Sequence, residues 1–491
     1  MAAESRESLR QLIRRKLGRS KFIVVSNREP YMHVFRDGRI DWIRPASGVT
    51  VALDPVMRAS RGLWVAHGSG EADPKVTDPR GFVAVPPDRP SYRLKRVWLS
   101  RRQEENYYYG FANSALWPLC HVAYRRPVFR EEHWDAYREV NQLFADRVAE
   151  EVGKERAFLF IQDYHFALLP RMLRKRCPQA IIAQFWHIPW PNPEVFRICP
   201  WRQEILDGML GNDILGFHIR YHCENFIATV DRELEARPDR ELTAVVFRGH
   251  MTKIRAFPIS IDFEDISRRA GSPETKRLAA SIRRKYRLPE NCILGLGADR
   301  IDYTKGIPER LDAIALLLER YPQYRSRLVF FQAGVPSRTQ IQEYCRLAEE
   351  VEQRVRAINQ KYGRGAWQPI VFAREHFDLP HLLALYRMAR FALVSSLHDG
   401  MNLVAKEFVA AQSDGNGVLL LSQFTGASRE LLDAIIINPY SPDEVAERIR
   451  DAIEMNPIEV RRRMGRLREQ VREHNIYRWA SSVIKKLTKF A

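Results

Sequence analysis

The sequence predicts an α/β protein made of two successive halves, each a parallel sheet with helices against it. Three observations lead there. Short apolar runs alternate with helical patterns at the spacing of βαβ units. Most runs end in polar or charged residues. The alternation also breaks once, around residues 256–262 (AFPISID), and then restarts. A chain of 491 residues exceeds one ordinary core, which agrees with two large units.

In the first half, residues 22–26 (FIVVS) read as a buried strand stopped by Asn27-Arg28-Glu29-Pro30. Strands are also expected at 158–161, 181–185 and 214–217, with helices over 168–176 and 222–234. Asp163-Tyr164-His165, His187 and His218 follow those strands. The carboxyl edge of an open parallel sheet forms its ligand crevice, so these side chains are expected to face a shared cleft. The second half restarts at 292–298 (CILGLGA), followed by strands at 327–332, 370–372, 391–394, 417–421 and 434–438. Near the end, Ile476, Trp479, Val483, Ile484 and Leu487 fall near helical spacing and predict a helix packed on a domain.

Composition excludes several classes. Hydrophobic residues at 45% describe a folded globular chain rather than a disordered one. Six scattered cysteines form no CxxC pair and no His cluster has ligand spacing, so neither a disulfide framework nor a metal site is signalled, and a reducing cytoplasm is expected. No apolar run reaches the ~20 residues of a membrane span. The basic first 21 residues read as a solvated leader, with a transit peptide or membrane-surface helix as the alternative. A net charge of +18 raises nucleic-acid binding, but the cations are spread along the chain without any nucleic-acid-binding signature.

Phosphate chemistry concentrates in the second half. Arg300 and Lys305 lie just past the CILGLGA strand, a planar fork and a mobile point charge suited to a leaving diphosphate. An exposed ion-pair network with Asp299 and Asp302 is the alternative. In SSLHDGMNLVAKEFVAAQ (395–412), a helix expected to begin near Met401 offers backbone N–H groups to an anion beside Gly400. Glu407, about two turns on, could accept from ribose hydroxyls and Asp399 from a sugar hydroxyl. The residues alone also allow an N-cap with a solvated glutamate. No Walker or GxGxxG loop is present, which speaks against a triphosphatase or a dinucleotide enzyme.

The ordered blocks SNR (26–28), YYYGFANSALWP (107–118), QDYH (162–165), HIPWP (187–191), RIDYTKGIPERL (300–311) and DGMNLVAKEFVAAQ (399–412) resemble the trehalose-6-phosphate synthase family of retaining glycosyltransferases. The resemblance runs from about residue 22 to the C-terminus. It implies a GT-B architecture: two Rossmann-like domains facing a deep interdomain cleft, with a last helix crossing back. The acceptor domain would span 1–257, the nucleotide-sugar domain 258–474 and the returning helix 475–491.

Residue by residue, the resemblance implies that Arg300 and Lys305 bind the donor diphosphate and Glu407 the ribose. Asp399 with Gly400, Met401, Asn402, Leu403 and Val404 would hold donor glucose and phosphates, Phe377 would lie at the uracil, and Gly48 and His187 would complete the donor set. Asp163 would bind acceptor hydroxyls, with Arg28, Tyr108 and Arg338 around the acceptor's phosphate and Trp117 shaping that pocket. Arg300, Lys305, Asp163 and His187 would form the catalytic group. From the residues alone, His187, Tyr108 and Trp117 also read as core side chains and Arg338 as a helix cap.

The implied reaction moves glucose from a nucleoside-diphosphate glucose, UDP-glucose by the resemblance, to glucose 6-phosphate with retention and without metal or cofactor. Two departures lie in the acceptor half: Ser47-Gly48-Val49 replaces a glycine pair and leucine, and His67-Gly68-Ser69-Gly70 replaces a tryptophan before Ser-Gly. Glucosylglycerol-phosphate synthesis, transfer to another phosphorylated sugar or polyol, and a non-catalytic sugar-phosphate-binding regulator therefore stay open. No nucleic-acid partner and no integral membrane contact are expected; the sequence leaves a homo-oligomer open.

Overall fold

The computed structural model describes residues 4–18, 20–45 and 48–490. The chain forms two compact units, one from the residues up to Ile259 together with those from Ile476 onward, the other Ser260–Asn475.

The first unit holds β1 (Lys21–Arg28), the hairpin β2 (Met32–Arg36) and β3 (Arg39–Ile43), β4 (Leu63–His67), β5 (Phe82–Val85), β6 (Tyr92–Val97), β7 (Ala157–Gln162), β8 (Ile181–Phe185), β9 (Ile214–Phe217), β10 (Arg237–Asp239), β11 (Ala244–Phe247) and β12 (His250–Ala256). All but the hairpin join one sheet in the order β10-β11-β12-β9-β8-β7-β1-β4-β6-β5. Strands β7, β8 and β9 are buried at every position, as strands covered on both faces must be. The pairings β5–β6, β10–β11 and β11–β12 are antiparallel, and the seven strands from β6 through β9 to β12 pair in parallel.

Helices α1 (Arg6–Leu17), α2 (Gly48–Ser60) and α3 (Glu131–Val152) belong to this unit. The leader expected to be solvated is instead structured. Ser5 and Ser8 form a capping box at the start of α1, and Leu9, Leu12, Ile13 and Leu17 are buried on one side, where α1 packs on α2. The basic residues dominate the composition of that segment, yet its few leucines decide its placement.

The second unit is a six-stranded parallel sheet of β13 (Ile293–Arg300), β14 (Leu328–Val335), β15 (Ile370–Ala373), β16 (Phe391–Val394), β17 (Val418–Ser422) and β18 (Ile435–Ile437), in the order β15-β14-β13-β16-β17-β18. Its helices include α4 (Ile307–Arg320), α5 (Gln342–Tyr362), α6 (Leu379–Met388) and α7 (Leu403–Ala411). The parallel strands run in the spatial order 3-2-1-4-5-6-7 in the first sheet and 3-2-1-4-5-6 in the second, so each has one topological switch point, between β1 and β7 in the first and between β13 and β16 in the second. Ligand crevices of open α/β sheets lie outside the carboxyl ends of the strands at that point.

Helix α8 (Ile476–Leu487) returns to the first unit, as the resemblance implies. Trp479 anchors it: its indole Nε1 donates to the Phe257 carbonyl at 3.2 Å, and its ring lies 5.8 Å from Phe160 and 5.3 Å from Phe185. Replacing Trp479 by Ala removes a buried aromatic and its hydrogen bond, a loss of about 3–5 kcal/mol. Urea denaturation should show the first unit's midpoint falling accordingly; an unchanged midpoint would mean that α8 adds nothing to that core.

Candidate active site

At the second unit's switch point, Arg300 is the last residue of β13. Its Nη1 donates to Ser337 Oγ at 3.3 Å, and its Nη2 lies 3.5 Å from Asp302 Oδ2. The Asp302 carboxylate also takes Nη1 of Arg338 at 3.2 Å and the Thr304 amide at 3.1 Å. Complete burial pushes the Asp302 carboxyl up, but Arg338, Arg300 and Lys305 outweigh it and hold the group below its ordinary value. Asp302 therefore stays anionic and organises two arginines. Arg338 has a left-handed backbone, φ +48°, and its guanidinium meets Asp302 and Tyr344; it does not serve as a helix cap.

The turn after β13 brings Lys305 to the loop after β16. Gly306 makes this approach feasible: with φ +61°, a Cβ here would sit 2.3 Å from the Ser395 carbonyl oxygen. Lys305 Nζ forms an ion pair with Asp399 Oδ2, which also accepts from Asn402 Nδ2 at 3.2 Å and Ser396 Oγ at 3.3 Å. Of the ion pairs read as an alternative for this segment, Arg300 with Asp302 is present, whereas Asp299 pairs with Arg310 at 2.7 Å. The network is not exposed, since Arg300 and Lys305 keep only 29% and 14% of their side-chain surface in contact with solvent.

Helix α7 begins at Leu403, two residues later than expected from the sequence. Asn402, with φ +87°, cannot be helical and serves as the N-cap, its Oδ1 accepting the Ala405 amide at 3.0 Å. Gly400, Met401 and Asn402 are buried beneath this helix start, and Leu403 and Val404 form its half-buried first turn. Glu407 is not a solvated glutamate. Burial raises its carboxyl to about 7, only partly opposed by the Tyr386 hydroxyl, which donates to Oε2 at 3.0 Å. Phe377 is buried in the loop between β15 and α6, edge-on to Phe331 at 6.1 Å.

In the first unit, Arg28 ends β1. Its Nη2 donates to the Tyr108 hydroxyl at 2.7 Å, and the Tyr108 ring stacks on His165 at 5.7 Å. Tyr108 lies in a wide π-type helix over Glu104–Leu116, a geometry frequent at functional sites. Trp117 follows directly, buried against His121 at 4.0 Å and Tyr164 at 5.8 Å.

Asp163 follows β7, on the other side of the same switch point. Its backbone, φ +74° and ψ 175°, occupies a region essentially reserved for glycine. The side chain is held there, because Oδ1 accepts the Tyr164 amide at 2.9 Å and the His187 amide at 3.1 Å. His187 Nε2 faces Gln162 Oε1 at 3.0 Å, and burial lowers its imidazole to about 3, so the ring is neutral at physiological pH. The His218 ring lies 5.6 Å away, with its Nε2 at 3.1 Å from the His187 carbonyl. The polar strand tips Asp163, His187 and His218 thus do converge.

The two departing segments behave differently. Ser47 lies outside the described residues, and Gly48 opens α2 as an exposed residue. His67 ends β4 with its Nδ1 at 3.2 Å from the Val97 carbonyl. The next turn is anchored by Glu29, whose Oε1 accepts the Ser69 amide at 2.8 Å and whose Oε2 pairs with Arg96 at 2.8 Å. A Cβ at Gly68 would meet the Trp98 ring at 2.5 Å, and one at Gly70 the His33 carbonyl at 2.4 Å.

A sequence model of glycosyltransferase family 20 matches residues 20–489. The chain belongs to this family. A trehalose-6-phosphate synthase of Mycolicibacterium smegmatis is 39% identical over 475 residues, covering 95% of this chain and 92% of the relative. Among solved structures, one from E. coli, described as trehalose-6-phosphate bound with UDP-2-fluoro glucose, superposes with TM-score 0.85 at 32% identity, covering 96% of this chain and all of that one. A UDP-forming α,α-trehalose-phosphate synthase of Burkholderia xenovorans, in complex with glucose-6-phosphate, does so with TM-score 0.85 at 27% identity, covering 95% of this chain and all of that one. With these matches the fold is the family's GT-B type, built on two Rossmann-like domains.

Within this glycosyltransferase family 20 chain, the sequence-selected residues fall into linked groups: Arg300 with Arg338 through Asp302, Lys305 with Asp399 and Asn402, Arg28 with Tyr108, and Asp163 with His187. Arg338, assigned to the acceptor, shares its carboxylate with the donor-assigned Arg300. Missed were Gln162, Tyr386 and Arg310, which hold these side chains; Asp302 was named only as a member of an exposed ion-pair network, not as the buried acid that holds Arg300 and Arg338. Asp302 and Arg310 sit inside the quoted RIDYTKGIPERL and Gln162 inside QDYH, so proximity in sequence was the available signal. Tyr386 lies on another helix and gave none.

The strain at Asp163 gives a direct test. Asp163→Gly fits the observed backbone, whereas Asp163→Ala keeps a Cβ in a conformation costing ~1–3 kcal/mol. Chemical denaturation should find the glycine variant more stable than the alanine variant by about 1–2 kcal/mol; equal stabilities would remove the strain.

Proposed function

We propose that this chain is a retaining glucosyltransferase that moves glucose from UDP-glucose to glucose 6-phosphate, releasing UDP and forming trehalose 6-phosphate. The observation that carries this reading is the cationic switch point of the second unit: Arg300 and Lys305 both act on the Asp302 carboxylate after β13, and Lys305 pairs with Asp399, which also holds Asn402 at the start of α7. The names of the relatives, matched along nearly the whole chain, agree with it.

In the proposed mechanism Arg300 and Lys305 bind the diphosphate and stabilise the negative charge that grows as the bond from the anomeric carbon to the phosphate oxygen breaks. The N–H groups at the start of α7 add a positive dipole end. Lys305 is already oriented by Asp399, which in turn would accept a glucose hydroxyl. The acceptor hydroxyl attacks from the face the phosphate leaves, and its proton passes to the departing phosphate oxygen. His187 is neutral and fixed by Gln162, so it contacts sugar hydroxyls without supplying a proton as imidazolium. Asp163 holds the acceptor's hydroxyls, and Arg28, with Tyr108 at its side, takes the acceptor's phosphate. The six free thiols fit a reducing, cytoplasmic setting.

Incubation with UDP-glucose and separate phosphorylated acceptors tests the reading. Trehalose 6-phosphate should form with glucose 6-phosphate, and Lys305→Ala should lower turnover by about 100-fold or more with the fold retained. Turnover with glycerol 3-phosphate alone would transfer the assignment to the polyol acceptor, and UDP release from no acceptor would end the enzyme reading.

Glu407 makes the donor's affinity depend on pH. Only its carboxylate can accept from both ribose hydroxyls, and with the carboxyl raised to about 7 that form grows as pH rises from 6 to 8. KM for UDP-glucose should fall roughly ten-fold across this interval in the wild type. Glu407→Gln should bind more weakly and without that dependence; a flat wild-type profile would remove Glu407 from the ribose.

A further inference from the structure

A cavity of about 900 Å³ in the first unit is lined by Arg6, Arg10, Arg58, Arg61, Arg89 and Arg93, none of which enters the reaction described above. The arginines come from three places: α1, the C-terminal end of α2, and the segment before and within β6. Two have carboxylate partners. Arg58 Nε is 2.8 Å from Asp54, and Arg10 lies 3.9 Å from Glu7, the one acid in the lining. Arg6, Arg61, Arg89 and Arg93 have no carboxylate partner within 4 Å among the described residues. Arg6 reaches only the Arg58 carbonyl, at 3.5 Å, and Arg93 lies over the Phe82 ring at 3.8 Å.

Bringing like charges together around a concavity costs free energy through repulsion, and concave walls concentrate the field. The packing of α1 on α2 uses the leucines and does not require this arrangement. Ser91, also in the lining, has a buried hydroxyl without a hydrogen-bond partner among the described residues. Guanidinium groups bind phosphate through paired N–H donors. Four uncompensated guanidinium charges correspond to roughly the charge of two phosphate groups, at about −1.5 to −2 each. The cavity's volume is that of a small-molecule site. A nucleic acid would instead call for an extended basic track.

We propose that this arginine cavity is a second anion site, separate from the donor and acceptor sets, that binds a small molecule bearing two phosphate groups. Inorganic pyrophosphate is the probe, titrated calorimetrically into the full-length protein at about 0.15 M salt, where loose surface attraction is screened. UDP is added at saturation so that the diphosphate position of the second unit is filled. One further binding event is expected, weakened at least ten-fold in the double variant Arg61→Glu/Arg89→Glu, whose substitutions lie at exposed positions. Arg461→Glu/Arg466→Glu, which changes the net charge equally on another exposed surface, should bind as the wild type does. Equal affinity in the wild type and the cavity variant would overturn the proposal. So would equal weakening in both variants, or binding of duplex DNA without binding of pyrophosphate. The comparison between the two variants reads the cavity even if UDP does not bind, so its failure is distinct from failure of the proposed reaction.

Discussion

The geometry of the second unit's switch point depends on one buried cation. Arg310, 1% exposed, donates to Asp299 Oδ2 and Gln332 Oε1 at 2.7 Å, to Ser395 Oγ at 2.9 Å and toward the Lys305 carbonyl at 3.4 Å. One guanidinium thus joins the end of β13, the middle of β14, the turn carrying Lys305 and the loop after β16. A buried charge is tolerable only when its donors are met, and removing one partner leaves the charge stranded. The arrangement is therefore close to all-or-none. It also explains a glycine inside a strand, because a Cβ at Gly297 would lie 2.3 Å from Arg310 Nη1.

The two units solve the same problem with different chemistry. Each sheet places its polar residues where the strand order reverses, but the second uses cations held by the carboxylates of Asp302 and Asp399, whereas the first sets Arg28 beside neutral and strained groups. His187 is kept uncharged by burial, and Asp163 is held in a backbone conformation that its own hydrogen bonds stabilise. A carboxylate that grips two backbone amides has its direction set before any ligand arrives. That rigidity suits recognition of hydroxyls, whose donors and acceptors must be met at defined angles.

Legibility from sequence followed burial. Strands covered on both faces, such as β7, β8, β16 and β17, are continuous apolar runs and could be read directly. Strands toward the two ends of the first sheet carry mixed patterns: β6, with Arg93, Lys95 and Arg96, and β12, with His250, Lys253 and Arg255, have no continuous apolar run and were not read as strands, because pairing with both neighbours is what makes them strands. The hairpin β2–β3 was missed although Asp37-Gly38, both at positive φ, is the dipeptide such a turn favours. Site residues were legible as motifs, whereas their supports were not. Glu407 could be picked out as an acid on a helix face, but nothing near it in the chain announces Tyr386 or the burial that shifts its titration.

The return of α8 to the first unit makes the second unit an insertion within the first. During synthesis on the ribosome, residues 260–475 emerge as a contiguous segment able to form their own core, while the larger unit begun earlier waits for its last helix. Trp479 can cover Phe160 and Phe185 only after residues 260–475 have been made. Until then that patch is exposed apolar surface. The order of translation therefore leaves the earlier unit incomplete for longest, and places it in the care of whatever shields nascent chains.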